Sequence, residues 1–476
     1  MKWKQKPARS ILSATIITMM SSQSVHSGAF QLYTEGSAAA IGNYAAGIAA
    51  EASDASTAWY NPAGLVLLKK QQVVVSGVGV FPSAKLTGTS TYDTDGDPPY
   101  IQSFNNLQGA EDALVPAFYY VKPLGERAAF GLSVVSPFGL STSWTPSSPL
   151  RYSATSTRLT TINLSPELAG QLTDHVSLGL GLDLQYAKVK FNGVIGSPAD
   201  LQYLSSFSED GLPLPRTLDS ISFNQGNSYA VGFHAGLLGR FNDNHTRLGV
   251  NYQSGTSHQF YGASVLIGPL AAENVELDSS PSSVFRTNML SSNTIHLPDV
   301  LTLSAYQDMN SKIALLASAV YTGWSSFKQL QLNNIAASSA ETGMHALINS
   351  STVEDYRDVW RFALGANYHV TDKWMMRVGG GYDQTPTIDA QRDIRLPDSN
   401  RWALSIGSHY QPRSNVGVDI GYSYLFATNN PPINKTLVLN EANSTTVNAI
   451  AKVHVQLVGL QVVWNFDKPI SNYVEK

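Results

Sequence analysis

The chain has 476 residues, no cysteine, a formal net charge of −4 and only 14% charged residues. Soluble domains carry about 25% charged residues, so an ordinary cytosolic enzyme is disfavoured, and the missing cysteines exclude disulfides and Cys-ligated metal sites. The 35 acidic residues outnumber the 31 basic ones, which disfavours a nucleic-acid partner. Glycine (37 residues) and tyrosine (22 residues) are abundant instead, which is typical of transmembrane β-barrels.

The N-terminus has the pattern of an export signal. Four basic residues lie within the first nine positions, residues 11–20 are largely apolar, and a small-residue site ends at Ser27. Ten moderately apolar residues are too few to cross roughly 30 Å of hydrocarbon as a helix. We therefore predict a signal peptide over residues 1–27.

Residues 28–70 are rich in Ala, Gly and Ser, and their apolar positions follow short helical spacing. The run Asn61-Pro62-Ala63-Gly64 then predicts a turn before the first strand. A small-residue segment ahead of a barrel is either a periplasmic tail or a plug inside the lumen. Because small residues favour close packing, we expect a plug of short helices, called the hatch below.

From residue 71 onward, apolar and polar residues alternate with a period of two. Residues 176–186 place Val, Leu and Tyr on one face and Ser, Gly, Asp and Gln on the other. Residues 360–368, 374–382 and 401–410 repeat the pattern, and their apolar rows often begin or end in Trp or Tyr. This is typical of a lipid-facing band between aromatic girdles, with a polar lumen inside. An exported, soluble all-β protein is the alternative.

Short turns alternate with longer polar stretches along the same region. Outer-membrane barrels have short periplasmic turns and long external loops, so the alternation predicts an antiparallel barrel of about 14 strands over residues 71–466. A barrel of that size encloses a lumen, since about eight strands already fill with their own side chains. Residues 467–476 are predicted to form a periplasmic tail. The longer stretches lie near 91–112, 141–158, 192–226, 266–297, 333–353, 385–398 and 430–445.

One predicted strand contains a break. Its alternation runs from Ala128 and then meets Ser136-Pro137-Phe138-Gly139. Proline cannot donate to the strand ladder, and glycine at such a position indicates a bulge or kink. We interpret these four residues as a local inward kink, the alternative being a strand that ends at Val135.

Several motifs, in this order and spacing, resemble FadL-type long-chain fatty acid transporters. The resemblance runs from Gly28 to about Phe466. The motifs that carry it are Gly28-Ala29-Phe30-Gln31-Leu32, Asn61-Pro62-Ala63, Tyr321-Thr322-Gly323-Trp324-Ser325-Ser326-Phe327, Arg361-Phe362-Ala363-Leu364-Gly365 and Arg395-Leu396-Pro397-Asp398. It implies a plugged barrel that captures ligand at external loops, passes it to an apolar pocket and releases it sideways through the kinked strand. It also implies hatch roles for Phe30, Asn61, Pro62 and Ala63. The family includes aromatic hydrocarbon transporters, so uptake of fatty acids or of hydrocarbons is expected.

The resemblance also suggests substrate-binding residues. Val189 and Phe191 belong to the inward row of their strand, where they would line the pocket. The arginine that binds the ligand's polar end in the fatty acid transporter falls at Gly193, so carboxylate recognition there is in doubt. Arg361 and Arg377 face the lumen and are the substitutes we propose, the alternative being an internal salt-bridge network with lumen acids.

No catalytic motif is present: the sequence lacks a G-x-S-x-G elbow, an H-E-x-x-H zinc motif and a P-loop. We therefore expect no enzyme, no cofactor and no metal, and interpret the acidic run at residues 93–97 as a solvated turn. A lipase assembled across strands, a porin and a surface adhesin are the alternatives to a transporter.

The expected setting is the outer membrane of a Gram-negative bacterium, with a monomeric chain. The partners we expect are a hydrophobic small molecule, outer-membrane lipid and lipopolysaccharide, and the barrel assembly machinery. Lys188 and Lys190 continue an outward row above the aromatic belt, where they would meet anionic headgroups. Phe466 ends the closing strand, where assembly machinery usually reads a terminal aromatic residue.

Overall fold

The computed structural model describes residues 31–96, 98–196, 219–271, 285–338 and 345–466. The predicted signal peptide (1–27), the hatch residue Phe30 and the predicted tail (467–476) lie outside the described residues. Within the described part, 14 antiparallel strands form one closed barrel. This confirms the predicted fold class.

The strands are numbered β1 to β14 in chain order. The continuous strands are β1 (Gln72–Thr94), β4 (Ser156–Gln171), β5 (Val176–Ile195), β6 (Ser220–Phe241), β11 (Trp374–Asp383), β12 (Arg401–Arg413) and β14 (Asn443–Asn465). The others run in two segments each: β2 (Tyr100–Gln108, Ala113–Pro123), β3 (Ala128–Val135, Gly139–Ser143), β7 (Thr246–Gln253, Thr256–Ile267), β8 (Phe285–Leu297, Val300–Asp308), β9 (Ile313–Thr322, Gln329–Ser338), β10 (His345–Val353, Val359–Thr371) and β13 (Val416–Ala427, Pro432–Val438).

The barrel closes where β14 pairs with β1 along their full lengths, from Gln72 opposite Asn465 to Thr94 opposite Asn443. Both ends of the barrel-forming chain therefore lie at one end of the barrel. The short connections lie there too, including the turn at 242–245, where Asn and Asp residues adopt left-handed backbone angles that suit tight hairpins. We call this end of the barrel the turn end and the opposite end the loop end.

The outer face of the barrel is apolar, as the alternation predicted. Leu180, Leu182 and Leu184 of β5 are exposed on it, in one row. Aromatic residues mark the ends of this apolar band, for example Trp374 near the turn end and Trp402 nearer the loop end. None of the helices in the described part of the chain combines the length and apolarity needed to cross a bilayer.

Several stretches expected to be loops continue as strand instead. Most of 91–112, 333–353 and 430–445 forms paired strand at the loop end, as in the pairing of Pro432–Val438 with β14. These extensions have polar residues on both faces, so the alternation that marks a lipid-facing strand is lost there while the ladder remains. The expected loop at 192–226 lies mostly outside the described residues, at 197–218.

From residue 31 onward, where the hatch is described, it contains three very short helices, α1 (Ala38–Gly42), α2 (Ile48–Glu51) and α3 (Thr57–Tyr60), followed by a 3₁₀ turn (Pro62–Leu67). The helices are short because left-handed residues interrupt them, such as Ala45 and Ala52. Asn61 begins the 3₁₀ turn, and its side chain accepts a hydrogen bond from the Ala63 N–H.

The hatch packs inside the turn half of the barrel, with its backbone directly against the wall. A Cβ atom on Gly249 of β7 would lie 1.9 Å from the Ala49 carbonyl oxygen, and one on Gly179 of β5 would lie 2.3 Å from the Ala63 nitrogen. No side chain fits into such a contact, so glycine is required at both positions. The loop half of the lumen holds a separate apolar cluster, to which none of the described hatch residues belongs.

Candidate functional site

An apolar cavity lies in the loop half of the lumen. Ligand pockets are lined predominantly by hydrophobic and aromatic side chains, and this cavity has such a lining. Most of its lining side chains are aliphatic or aromatic, and they come from β3, β4, β5, β7, β8, β9 and the loops beside them. They are Leu140, Leu159, Val189, Phe191, Phe260, Ile295, Leu297, Phe327, Leu330, Tyr356 and Leu396.

The predicted pocket residues Val189 and Phe191 both line this cavity. They belong to the inward row of β5, which is polar nearer the turn end, at Asp183 and Gln185, and becomes apolar from Ala187 onward. The polar part of this row faces the hatch and the apolar part lines the cavity. The cavity therefore lies on the loop-end side of the hatch.

Strand interruptions supply the aromatic part of the cavity wall. β9 is broken by a 3₁₀ turn at Trp324–Ser326, and β10 is broken at residues 354–358. These breaks bring Phe327 and Tyr356 together, with ring centroids 5.0 Å apart, while Trp324 packs edge-on against Tyr356 at 6.0 Å. These aromatics have no role among the residues predicted from the sequence, although their departure from strict alternation was a usable signal.

The cavity also has polar lining residues that sequence reasoning missed. Glu354, Asp393, Arg395 and Thr157 all line it. Arg395 forms an ion pair with Asp393 at 2.6 Å and donates a second hydrogen bond to the Ser153 carbonyl at 2.9 Å. Burial, followed by the nearby charge of Asp393, holds the pKa of the Glu354 carboxyl well above its usual range.

The two arginines proposed for the ligand's polar end, Arg361 and Arg377, do not line this cavity. Arg361 donates to the Tyr44 carbonyl of the hatch and lies over the Tyr44 ring, with 3.8 Å between the guanidinium carbon and the ring centroid. Arg377 is buried in an ion pair with Asp419 of β13. These contacts belong to an internal polar network, which was the alternative interpretation. Both arginines lie against the hatch and not in the cavity wall.

The Asn61-Pro62-Ala63 motif fixes the end of the hatch to the wall. The Asn61 side-chain amide donates to the Ala49 carbonyl at 2.6 Å and to the Leu237 carbonyl of β6 at 3.0 Å. Ser177 of β5 donates to the Ala63 carbonyl at 2.9 Å. One asparagine thus joins two parts of the hatch to the barrel.

Wall side chains satisfy the hatch backbone at other points as well. His234 of β6 is fully buried, with Nδ1 2.9 Å from the Asp183 carboxylate and Nε2 3.1 Å from the Ala58 carbonyl of the hatch. Gln461 of β14 donates to the Asp54 carboxylate of the hatch at 2.9 Å. Because buried backbone and charged groups need partners, these polar contacts stabilise the closed position of the hatch.

The kink predicted at residues 136–139 corresponds to a break in β3 at residues 136–138, and Gly139 begins the second segment of the strand. Between Val135 and Gly139 the chain advances four residues while β4 advances three, which is a bulge of one residue. Thr161 of β4 holds the bulge: its hydroxyl donates to the Phe138 carbonyl at 2.7 Å and accepts from the Phe138 N–H at 2.9 Å. The Ser136 hydroxyl donates to the Thr161 carbonyl.

The bulge leaves part of the wall unpaired. β2 pairs with β3 from Phe118 to Pro123 and again at the single bridge between Ala110 and Thr142. Among the described residues, no ladder joins β3 to residues 111–117 of β2. The break therefore opens a gap in the hydrogen bonding between two neighbouring strands.

The gap and the cavity are adjacent. Leu140 belongs to the β3 segment that borders the gap, and its side chain lines the cavity. Phe138 turns inward and packs edge-on against Trp324, with ring centroids 5.9 Å apart. The same break in β3 thus shapes both the wall and the cavity behind it.

Comparison with known proteins identifies relatives along nearly the whole chain. Residues 18–466 match the family model described as outer membrane protein transport protein (OMPP1/FadL/TodX). The chain is 30% identical over 419 residues to the long-chain fatty acid transport protein of Escherichia coli O6:H1, covering 87% of this chain and 90% of that protein. It is 29% identical over 479 residues to outer membrane protein P1 of Haemophilus influenzae, covering 94% and 97%.

Solved structures show the same architecture. A Pseudomonas aeruginosa FadL homologue matches with a TM-score of 0.75 at 26% identity, covering 92% of this chain and 100% of that chain. The Pseudomonas putida toluene transporter TodX matches with a TM-score of 0.62 at 16% identity, which shows a shared fold. The relatives are outer membrane proteins and the barrel has an apolar outer face, so the chain lies in the outer membrane. It belongs to the OMPP1/FadL/TodX family of outer membrane transport proteins.

Proposed function

We propose that this protein takes up hydrophobic molecules across the outer membrane, with long-chain fatty acids as the main substrate class. The observation that carries the proposal is the position of the apolar cavity directly behind the unpaired wall segment, with Leu140 belonging to both. Relatives about 30% identical are named long-chain fatty acid transport proteins, which supports this substrate class.

The proposed route has three steps. External loops capture the ligand, the apolar cavity holds it, and the ligand leaves sideways between β2 and β3. The hatch blocks the direct path, because its backbone contacts the wall at Gly249 and Gly179. A lateral exit avoids moving the hatch, and unpaired backbone at membrane depth is tolerated only where protein lines the opening. Glu111 supports such a lining, since it forms an ion pair with Arg158 at 2.9 Å beside the gap.

Uptake of aromatic or aliphatic hydrocarbons by the same route is the second candidate. Most of the residues that line the cavity are apolar, and such a lining suits a ligand that has no polar head group. A general porin is less compatible with a lumen whose turn half is occupied by the hatch.

The experiment that tests the route restores a regular strand. The double variant Pro137→Val, Gly139→Val returns a ladder N–H and raises β-propensity at both positions. Uptake of radiolabelled palmitate, in cells that lack other uptake systems, should fall sharply at matched surface expression. Binding of palmitate to the purified protein should survive.

Pro166→Val is the matched control, since Pro166 lies in the paired part of β4, opposite Leu132 and away from the gap. Its uptake should equal that of the parent. Equal uptake by the double variant and the parent would remove the lateral route. Phe30 and Asn61 would then be the next residues to change, as a test of passage past the hatch.

Assembly partners form a separate part of the proposal. Phe466 stacks on Trp464, with ring centroids 5.7 Å apart, at the end of the closing strand. We expect the barrel assembly machinery to read Phe466, so that Phe466→Ala lowers the folded amount in the membrane while deletion of 467–476 does not. Lys188 and Lys190 follow Tyr186 on the outward row of β5, a position suited to lipopolysaccharide phosphates.

A further inference from the structure

A patch of three cations lies on the outer face of the barrel, toward the loop end of β4 and β5. It consists of Arg158, Lys188 and Lys190, which belong to the outward rows of their strands. The two lysines follow Tyr186, whose ring lies 5.2 Å from that of the exposed Tyr229 of β6, between ring centroids. Interfacial tyrosines mark the level of the lipid head groups. The patch therefore lies at that level, on the side of the external loops.

The charges within this patch are not balanced by the protein. Arg158 lies directly opposite Lys190 in the pairing of β4 with β5, and like charges opposite each other on one sheet face are destabilising. The acid that faces the patch is Glu111, which forms an ion pair with Arg158 at 2.9 Å. Neither Lys188 nor Lys190 forms an ion pair with any described residue. Among the described residues, the patch thus has an excess of positive charge, which an anion would relieve.

Arg158 also belongs to a contact that crosses the gap between β2 and β3. Glu111 lies in the break of β2, and its carboxylate accepts hydrogen bonds from Ser141 of β3 and from Arg158 of β4. Arg158 Nε donates to Ser141 Oγ at 3.3 Å. We call Glu111, Ser141 and Arg158 the clasp. It lies beside the single bridge between Ala110 and Thr142, so it closes the loop-end edge of the gap.

The surroundings of the patch indicate which anion it meets. Below the lysines, the same outward row of β5 contains the exposed Leu180, Leu182 and Leu184. Leucines, then a tyrosine and then lysines match the acyl chains, the interface and the phosphate of one lipid molecule. At the outer surface of the outer membrane that lipid is lipopolysaccharide, whose lipid A carries phosphates. Arginine binds phosphate in a bidentate manner and lysine binds it as a point charge.

We propose that Arg158, Lys188 and Lys190 bind a phosphate of lipid A beside the gap, and that this phosphate competes with Glu111 for Arg158. The phosphate and the Glu111 carboxylate are both negative, so each weakens the binding of the other to the arginine. By the reciprocity of linked binding, a bound lipid therefore loosens the clasp at the edge of the gap. The inference extends the lipopolysaccharide contact of the two lysines, and its connection to the gap rests on the proposed lateral route.

The test measures lipid binding to the purified full-length protein after detergent exchange has removed bound lipid. The probes are lipid A with two phosphates, the same lipid A after enzymatic removal of its phosphates, and phosphatidylglycerol. Native mass spectrometry gives the bound fraction of each. Phosphorylated lipid A should bind at least about tenfold more tightly than the dephosphorylated form, since each cation beside an anionic head group contributes roughly fivefold in affinity. Phosphatidylglycerol should bind more weakly, because its single phosphodiester carries one charge.

The lysines are tested by a double variant. Lys188→Gln with Lys190→Gln should weaken the binding of phosphorylated lipid A by about 25-fold and leave the dephosphorylated form unchanged. Both side chains lie on the outer surface, so the barrel should fold normally. Lys122→Gln is the matched control, because Lys122 is exposed on the outward row of β2 near the turn end. It should change neither affinity.

The competition is tested at the clasp. Glu111→Gln removes the competing negative charge and should raise the affinity for phosphorylated lipid A by about fivefold. Asp112→Asn removes the same charge one residue farther along, at an exposed position outside the clasp, and should have no such effect.

The outcomes keep the parts of the inference apart. Equal binding of the two lipid A forms, or equal binding by the double variant and the parent, would overturn the site. Phosphatidylglycerol binding as tight as that of phosphorylated lipid A would overturn the assignment to lipopolysaccharide. An unchanged affinity in Glu111→Gln would overturn the connection to the gap. Palmitate uptake by the parent protein tests the proposed function separately, since none of these binding measurements depends on it.

Discussion

The two halves of the lumen are lined by the same strands yet have opposite chemistry. In the turn half, the inward row of β5 contains Gly179 and Asp183, and the hatch packs against it. In the loop half, the same row contains Val189 and Phe191, which line the cavity. The difference follows from what each half must hold. A hatch brings backbone that needs hydrogen bonds and close approach, whereas an apolar ligand needs neither.

The hatch therefore depends on glycines and polar side chains of the wall, and the cavity depends on apolar side chains. Changes in the turn half should release the hatch and alter conductance. Changes in the loop half should alter ligand affinity and leave conductance unchanged. The following predictions test that separation, from the largest expected effect to the smallest.

Gly249→Val should have the largest effect. Its side chain would overlap the hatch backbone, since even a Cβ atom would lie 1.9 Å from the Ala49 carbonyl oxygen. We expect the hatch to be displaced and steady ion current to appear in planar bilayers, where the parent protein should show little. Gly170→Val is the control, because a Cβ atom on Gly170 meets nothing within 4 Å. Equal currents for the two variants would contradict the role of the glycine contact.

Arg377→Ala should loosen the hatch without creating a clash. It removes the arginine from the buried Asp419 carboxylate, which keeps the contact with His409 Nδ1 at 3.0 Å, and breaking a buried ion pair typically costs about 3–5 kcal/mol. Hydrogen exchange of the hatch amides should become faster. Arg127→Ala removes an exposed ion pair with Asp174, which typically contributes under about 1 kcal/mol, and serves as the comparison. Unchanged hatch exchange in Arg377→Ala would show that the pair does not hold the hatch.

Val189→Ala should weaken ligand binding and leave the hatch in place. The lost apolar contact corresponds to about 1–2 kcal/mol for two methyl groups, or roughly five- to thirtyfold in affinity for an alkane. Leu180→Ala, on the outer face of the same strand, should not change binding. Increased bilayer current in Val189→Ala would contradict the separation of the two halves.

The smallest effect should be a pH dependence of the loop around Glu354. Its pKa in the folded protein lies above the unfolded value, so its contribution is unchanged below the unfolded pKa near 4.5 and stability is lost as pH rises above it. After correction for intrinsic rates, amide exchange in residues 354–358 should be faster at pH 8 than at pH 5. Glu354→Gln should abolish this difference, and its persistence would assign the pH dependence to another group.

The periodicity of two established the barrel because lipid contact makes the outer face of every strand apolar, as with Leu180 and Leu182. The break at Pro137 was also visible, since proline and glycine act locally on the ladder. The same reasoning from neighbouring residues predicted longer loops than the structure has. Water on both sides of the strand extensions removes the alternation, although Pro432–Val438 still pairs with β14.

The contacts inside the lumen depended on tertiary structure. Val189 and Phe191 could be placed in the inward row from the sequence, but nothing local distinguished Arg361 and Arg377, which contact the hatch, from Arg395, which lines the cavity. The partners of these side chains are far away in the chain and are brought together by the closure of the barrel and the breaks in its strands. The sequence by itself therefore determined the barrel, its outer face and the kink, because each follows from neighbouring residues. Only the tertiary structure decided which inward residues hold the hatch and which surround the cavity.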